Sequence, residues 1–395
     1  MLVATSYLFY GWADPFFCLL LFFTTSTDFL CALALSKAVT ERARKLWLAT
    51  GTVISLGVLF YFKYALFFLG IISDLTEKGG WSPYFVFILP AGISFYTFQS
   101  LGYLIDVYRR TTKPEGNFVT YLLYVSFFPQ LVAGPIERAK SLLPQLHNLG
   151  RRSPEMVAAG ARQILAGLIL KIVVADNMAP FVDVVYNTPE SYLALPLAVA
   201  TAMFGVQIYC DFAGYSLIAI GTAKFMGIDL MRNFATPYFS KSLDEFWRRW
   251  HISLSTFFRD YIYIPLGGSK KGMVRTCLAI GLVFSLSGLW HGANWTFILW
   301  GLYHGLGLIT LRLLRILARS LRHGAVILPT VLCVALTQIF VLIGWMLFRS
   351  ESIADATQIL GRLISWSTYS NLQNHLIIAH WSAILIAISF LTWDF

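Results

Sequence analysis

The chain has 395 residues, of which 57% are apolar, 16% aromatic and only 13% charged, with a net charge of +10. An ordinary soluble domain carries roughly 25% charged residues, so a water-soluble globule is excluded. The mean hydropathy of +0.67 and recurring apolar runs of bilayer-spanning length point instead to an all-α, polytopic membrane protein.

The 30 Lys and Arg outnumber the 20 Asp and Glu, and they sit in short loops between apolar runs rather than in one tail. This is the positive-inside pattern of a membrane protein and not the signature of a nucleic-acid binder. The opening stretch MLVATSYLFYGWADPFF has no basic region followed by a small-residue cleavage site, so no removed signal peptide is expected. Apolar segments at about 15–36, 46–73, 83–108, 118–136, 157–182, 193–222, 276–300, 301–318, 327–348 and 375–393 predict nine or ten membrane helices. The connecting loops are too short for a second domain, so residues 1–395 are expected to form a single membrane-embedded domain.

Lys37, Arg42, Arg44 and Lys45 mark one cytoplasmic loop and Arg109, Arg110 and Lys113 another, which turns loop 74–82 outward. Segment 118–136 has basic residues beyond both ends, and Pro129 and Gly134-Pro135 interrupt it, so it is predicted to be re-entrant or broken. Residues 223–275 are too polar to span and are expected to lie along or dip into the cytoplasmic face. Mapped onto a helix, Asp244, Trp247, His251, Ser255 and Phe258 share one stripe, so His251 is expected to point where Trp247 points. The repeats GLWHG at 288–292 and GLYHG at 301–305 read as small-residue patterns for close helix packing. The five cysteines have neither disulfide nor metal-ligand spacing.

Position sorts the seven histidines. His147, His323 and His375 lie in polar surroundings and His380 near a helix end, whereas His251, His291 and His304 stand among Trp, Gly and apolar residues, where an ionisable group is costly to bury. His291 has Ser285, Ser287 and Asn294 to hydrogen-bond a ring or an incoming oxygen, and Trp290 and Trp295 to exclude water. It reads either as a general base or as a helix-to-helix hydrogen bond; for His304 the hydrogen bond is the expectation. His251 is an interfacial anchor or a site residue, and its neighbours Arg248 and Arg249 suit a phosphate-bearing ligand. Asp211, beside Tyr209 and Gly214, is a further candidate, and GxSxG, HExxH, P-loop and GxGxxG motifs are all absent.

Five stretches carry a resemblance: ILPAGISFYTFQ at 88–99, FPQLVAGPIER at 128–138, YCDFAGYS at 209–216, FWRRWHISLSTFFRDYIY at 246–263 and LSGLWHGANW at 286–295. Together they resemble the membrane-bound O-acyltransferase (MBOAT) family, in its bacterial alginate O-acetyltransferase branch. The resemblance implies an MBOAT-like helical bundle with re-entrant segments and a central tunnel, in the bacterial cytoplasmic (inner) membrane. It implies an enzyme that takes an acyl group from a cytoplasmic thioester and passes it to a hydroxyl on the far side. By the same resemblance His291 is the catalytic residue and His251 the second one implicated.

Around these, Asn294 and Ser287 are candidates for orienting the ring or holding an oxyanion, and Trp290, Trp247, Arg248, Arg249 and Asp211 for binding substrate or donor. No bound cofactor or metal is expected; the donor is acetyl-CoA or an acyl-carrier thioester. The expected acceptor is an exopolysaccharide or cell-wall polymer such as alginate, reached through an extracytoplasmic acyl-accepting partner. D-alanyl transfer to teichoic acids and a non-catalytic acyl conduit are the alternatives. Family members usually carry a further segment at each end, so terminal helices are expected to be missing here.

Overall fold

The computed structural model describes residues 1–12, 14–76, 88–149, 152–320 and 329–365, and among these it is helical with no strand. The expected segment 375–393, most of loop 74–82, and His323, His375 and His380 lie outside the described residues. Among the described residues, seven helices are long and apolar enough to cross a membrane: Pro15–Lys37, Glu41–Lys63, Pro154–Asn187, Ala194–Phe225, Met273–His291, Trp295–Ala318 and Thr330–Arg349. The chain divides into two compact units, Met1–Ile164 with Ser216–Arg232, and Leu165–Tyr215 with Asn233–Phe395.

The first unit holds α1 (Leu2–Gly11), α2 (Pro15–Lys37), α3 (Glu41–Lys63), α4 (Ala65–Thr76), α5 (Ile93–Tyr108), α6 (Phe118–Ser126), α7 (Phe128–Leu131), α8 (Ala139–His147) and most of α9 (Pro154–Leu168). Pro15 occupies the first turn of α2, where its missing N–H costs nothing, and the Asp14 side chain accepts from Phe16 N–H. Arg44 is buried because its guanidinium donates to the carbonyls of Leu35 and Tyr108, at the ends of α2 and α5. Segment 118–136 breaks as expected, at Phe127, with Pro129 in the first turn of α7.

Side chains seal that break. Phe128 N–H donates to Ser6 Oγ (3.2 Å), Gln99 Nε2 donates to Tyr124 O, and Gln130 Nε2 reaches Gln99 Oε1 (3.0 Å). The motifs at 88–99 and 128–138 are thus hydrogen-bonded to each other. Gly92 (φ +71°) begins α5 where a Cβ would collide with Leu131 O.

Glu137, 2% exposed, accepts from Met231 N–H, and burial pushes its carboxyl up to about 7. The folded pKa lies above the unfolded one, so this group's contribution to stability is complete below about pH 4.5 and disappears as the pH rises through about 7. Glu137→Gln should flatten the pH dependence of the melting temperature across that window; an unchanged slope would refute the assignment.

In the second unit α9 ends in a π-helical stretch, Ile169–Ala175, that leads into α10 (Asp176–Asn187). Asp176 N–H bonds to the carbonyl of Lys171, five residues back, and the same spacing brings the Lys171 ammonium to 2.6 Å from the Asp176 carboxylate. Asn177 Nδ2 covers the carbonyls of Ile172 and Val173. Lys171 also pairs with Asp211 (2.7 Å) of α11 (Ala194–Phe225), near Gly214, where a Cβ would lie 2.7 Å from Gly167 O.

The rest of the unit comprises α12 (Leu243–Arg249), α13 (Ile252–Phe258), a π-helical turn Arg259–Tyr263, α14 (Met273–His291), α15 (Trp295–Ser320), α16 (Thr330–Arg349) and α17 (Ile353–Ile364). Two expectations are corrected here. The expected boundary between segments at 300/301 lies instead at Gly292–Asn294, because α14 stops at His291 and α15 starts at Trp295. The continuous stripe from Asp244 to Phe258 does not form: Trp250 is extended and His251 takes a left-handed conformation (φ +44°), so α12 and α13 are separate helices.

The two glycine repeats do pack helices. A Cβ at Gly288 would strike Phe297 O, and one at Gly301 would strike Phe284 O, so the α14 and α15 backbones touch. Gly281, on the same helix as Gly288, has nothing within 4 Å of its would-be Cβ. Gly301→Ala should therefore lower stability by about 1–3 kcal/mol in detergent melts, whereas Gly281→Ala should leave it unchanged or raise it.

Candidate active site

The break between α12 and α13 sends Trp247 and His251 to different places. Trp247 packs against Phe284, Trp300 and His304 (ring centroids 5.1, 5.7 and 5.0 Å). His251 packs against Phe212 (4.6 Å) and Trp290 (5.9 Å). Phe212 comes from the YCDFAGYS stretch and Trp290 from the WHG stretch, so three of the five motifs meet at His251.

His291 is the last residue of α14, enclosed by the rings of Trp290 (4.9 Å), Trp300 (5.0 Å) and Phe348 (5.1 Å). Both candidate catalytic histidines therefore contact Trp290. His251 is 1% exposed, and burial first, the charge of a protonated His291 second, holds its ring well below the usual histidine range. Asn233, which the sequence reading missed, holds it: Asn233 Oδ1 lies 3.1 Å from His251 Nδ1 and accepts from Ser253 N–H (3.2 Å) and Ser253 Oγ (2.9 Å).

Beside these rings is a cavity of about 480 Å³ whose walls come from α12, α13, the π-helical turn, α14 and α15. Trp247, Phe258, Phe284 and Leu308 line it, with Ser255, Thr256 and Ser287 as polar points and Arg248 and Arg259 as charges. Ser287, on the cavity wall, stands one helical turn before His291 on α14. Arg248 pairs with Asp244 (3.0 Å), which Arg315 also reaches (2.8 Å), and Arg259 pairs with Asp260 (2.7 Å). Burial opposes ionisation of Asp244, yet the Arg315, Ser242 and Arg248 hydrogen bonds outweigh it and keep that carboxyl below its ordinary range. Three guanidinium groups against two carboxylates leave this group of charges positive.

Of the residues singled out in the sequence, His291, His251, Trp290, Trp247, Ser287 and Arg248 are brought to the paired rings or the cavity. Arg249 turns to Glu245 (2.6 Å) instead. Asn294 spends its carboxamide on Glu351 O (2.9 Å) and Thr296 N–H (3.0 Å), capping α15, and Ser285 donates to Gly281 O within its own helix. Asp211 belongs to the Lys171 ion cluster. Arg259 was missed because its role depends on the π-helical turn, which places it and Tyr263 on the cavity together.

The expected hydrogen bond of His304 is not found. The ring is fully buried against Trp247, Trp300 and Phe340, and it fits because position 344 is glycine, where a Cβ would meet His304 Nε2. Among the described residues neither ring nitrogen has a hydrogen-bond partner.

Residues 115–353 match the MBOAT, membrane-bound O-acyltransferase, family. The chain belongs to this family. It is 38% identical over 377 residues to the probable alginate O-acetylase AlgI of Pseudomonas aeruginosa, covering 93% of this chain and 70% of that protein. It is 32% identical over 392 residues to the peptidoglycan O-acetyltransferase of Helicobacter pylori, covering 92% and 73%. A match to the teichoic acid D-alanyltransferase of Bacillus subtilis, at 30%, covers 54% of this chain and 56% of that one. The protein is thus a multi-pass membrane acyltransferase, and the matched stretch contains both candidate histidines and the cavity lining.

An unbonded buried polar ring costs stability, so His304→Phe, which keeps the ring and removes both nitrogens, should melt at or above the wild-type temperature. A fall of several degrees would show that those nitrogens are engaged.

Proposed function

We propose that this MBOAT enzyme transfers acetyl groups from acetyl-CoA, bound from the cytoplasmic side of a bacterial inner membrane, toward hydroxyls of an exported or cell-wall polysaccharide. An extracytoplasmic acyl-accepting partner would complete the relay. The observation that carries the reading is the pair of histidines on Trp290, next to a mostly apolar cavity with Arg248 and Arg259 on its wall. Apolar walls suit the pantetheine arm of a thioester, and the guanidinium groups suit its phosphates. Acetyl rather than D-alanyl transfer is favoured because the O-acetylating relatives match over 92–94% of the chain, and the D-alanyl relatives over 54–55%.

In this mechanism His291 removes the proton from the acceptor hydroxyl as its oxygen attacks the thioester carbonyl carbon. The tetrahedral intermediate collapses with cleavage of the carbon–sulfur bond. The imidazolium returns its proton to the leaving thiolate, so the products are an acetyl ester and free coenzyme A. The tryptophan walls keep water from competing for the thioester.

Purified protein given labelled acetyl-CoA and an acceptor should release free coenzyme A. His291→Ala, checked for monodispersity, should release it roughly 100-fold more slowly or worse, the loss expected for a general base. Equal rates would overturn the role of His291.

A further inference from the structure

The site contains a polar side chain that no motif contributes and whose oxygen serves one histidine turn. Asn233 is 1% exposed. Its main-chain carbonyl accepts from Ile252 N–H (2.8 Å), while Ala235 N–H donates to Arg249 O (3.0 Å), so residues 233–235 run hydrogen-bonded beside 249–252. This pairing holds His251 in a left-handed conformation that a bulky residue seldom adopts.

We infer that Asn233 is a positioning residue that fixes His251 in the tautomer protonated on Nδ1, so that Nε2 carries a lone pair and not a proton. A main-chain N–H can only donate. Since Ser253 N–H points at the Asn233 side chain, the atom facing it is the amide oxygen and not the amide nitrogen. That same oxygen lies 3.1 Å from His251 Nδ1. An oxygen of this kind only accepts, so Nδ1 is the donor, and a neutral imidazole has one N–H to give.

The groups around the ring keep it neutral. Its own segment and the paired strand of chain supply Asn233 and Ser253, α11 supplies Phe212, and α14 supplies Trp290 and the titratable His291. No carboxylate is among these named neighbours to stabilise an imidazolium on His251.

The catalytic consequence rests on the acyl-transfer reading above; the tautomer itself does not. In that reaction His291 becomes an imidazolium, and a second cation on His251 would oppose it. A neutral His251 instead offers Nε2 as an acceptor for the reacting hydroxyl or for the His291 ring. Asn233 thus divides the labour between two identical side chains, allowing one to take up the proton and the other to remain without it.

Two measurements on the full chain in detergent test this. In protein labelled with 15N-histidine, with the His251 signals assigned by their loss in His251→Gln, His251 should show a protonated Nδ1 and an unprotonated Nε2 at neutral pH. The reverse tautomer, or an imidazolium, would overturn the proposal, and this result is independent of whether any acetyl transfer is seen. Asn233→Asp keeps the accepting oxygen but adds a charge, which favours imidazolium on His251 by about one to three pH units. The acid limb of its coenzyme A release profile should move to higher pH by at least about one unit, with the rate recovering in alkali, while monodispersity is retained. A limb in the wild-type position would mean that Asn233 is only a structural brace. Failure of the wild type to release coenzyme A, with the expected tautomer present, would remove the acetyl-transfer reading and leave this one standing.

Discussion

In apolar surroundings a main-chain group released from a helix has no water to bond, so wherever the chain breaks a helix it must seal the break itself. Three breaks among the described residues are sealed by named residues. At Phe127 the amide freed at Phe128 goes to Ser6 and the carbonyl freed at Tyr124 goes to Gln99. In the stretch 169–175 Asn177 covers two carbonyls. Between α12 and α13 Asn233 takes the amides of Ile252 and Ser253. The chemistry gathers at the same places: His251 sits inside one break, and His291 is the last residue of a helix that stops three residues before the next begins.

This accounts for what could be read from the sequence and what could not. The broken segment at Pro129 and the close packing at GLWHG and GLYHG are written in proline and glycine placement, and the structure agrees with both; of the nine or ten expected spans, seven helices of sufficient length and apolarity stand among the described residues, with the boundary expected at 300/301 moved to 292–294. The two histidines stood out because imidazole is expensive among tryptophans. The stripe through Asp244 and His251 failed because helical periodicity assumes an unbroken helix, and the left-handed turn at His251 is imposed by Asn233, eighteen positions earlier. Nothing in the stretch around Asn233 announces that partnership, since it is formed by a backbone pairing that only tertiary structure creates. Arg259 escaped notice for a related reason, and Asn294 drew notice for chemistry that its capping bonds had already absorbed.

Around the two histidines the interior of the second unit is built largely from big rings. Trp247, Trp250, Trp290, Trp300 and Trp345 connect through Phe246, Phe348 and the histidine rings at centroid distances between 4.8 and 6.5 Å. Such surfaces are stiff, having two side-chain torsions each, and they combine an apolar face with a polar edge. A thioester group needs that combination: dry walls with a small number of directed nitrogens. His304, packed into the same set of rings without a bond of its own, shows that an imidazole here can serve as one more flat wall.

The π-helical stretch at Ile169–Ala175 has an effect that reaches past its ion cluster. Accommodating one residue more than an α-helix would in that turn advances everything after it by about 100° around the axis. The long helix from Pro154 to Asn187 therefore presents one azimuth along its first half and another along its second. It behaves as two rods joined out of phase. The Lys171–Asp176 pair, which requires the five-residue spacing, acts as the pin that holds that phase.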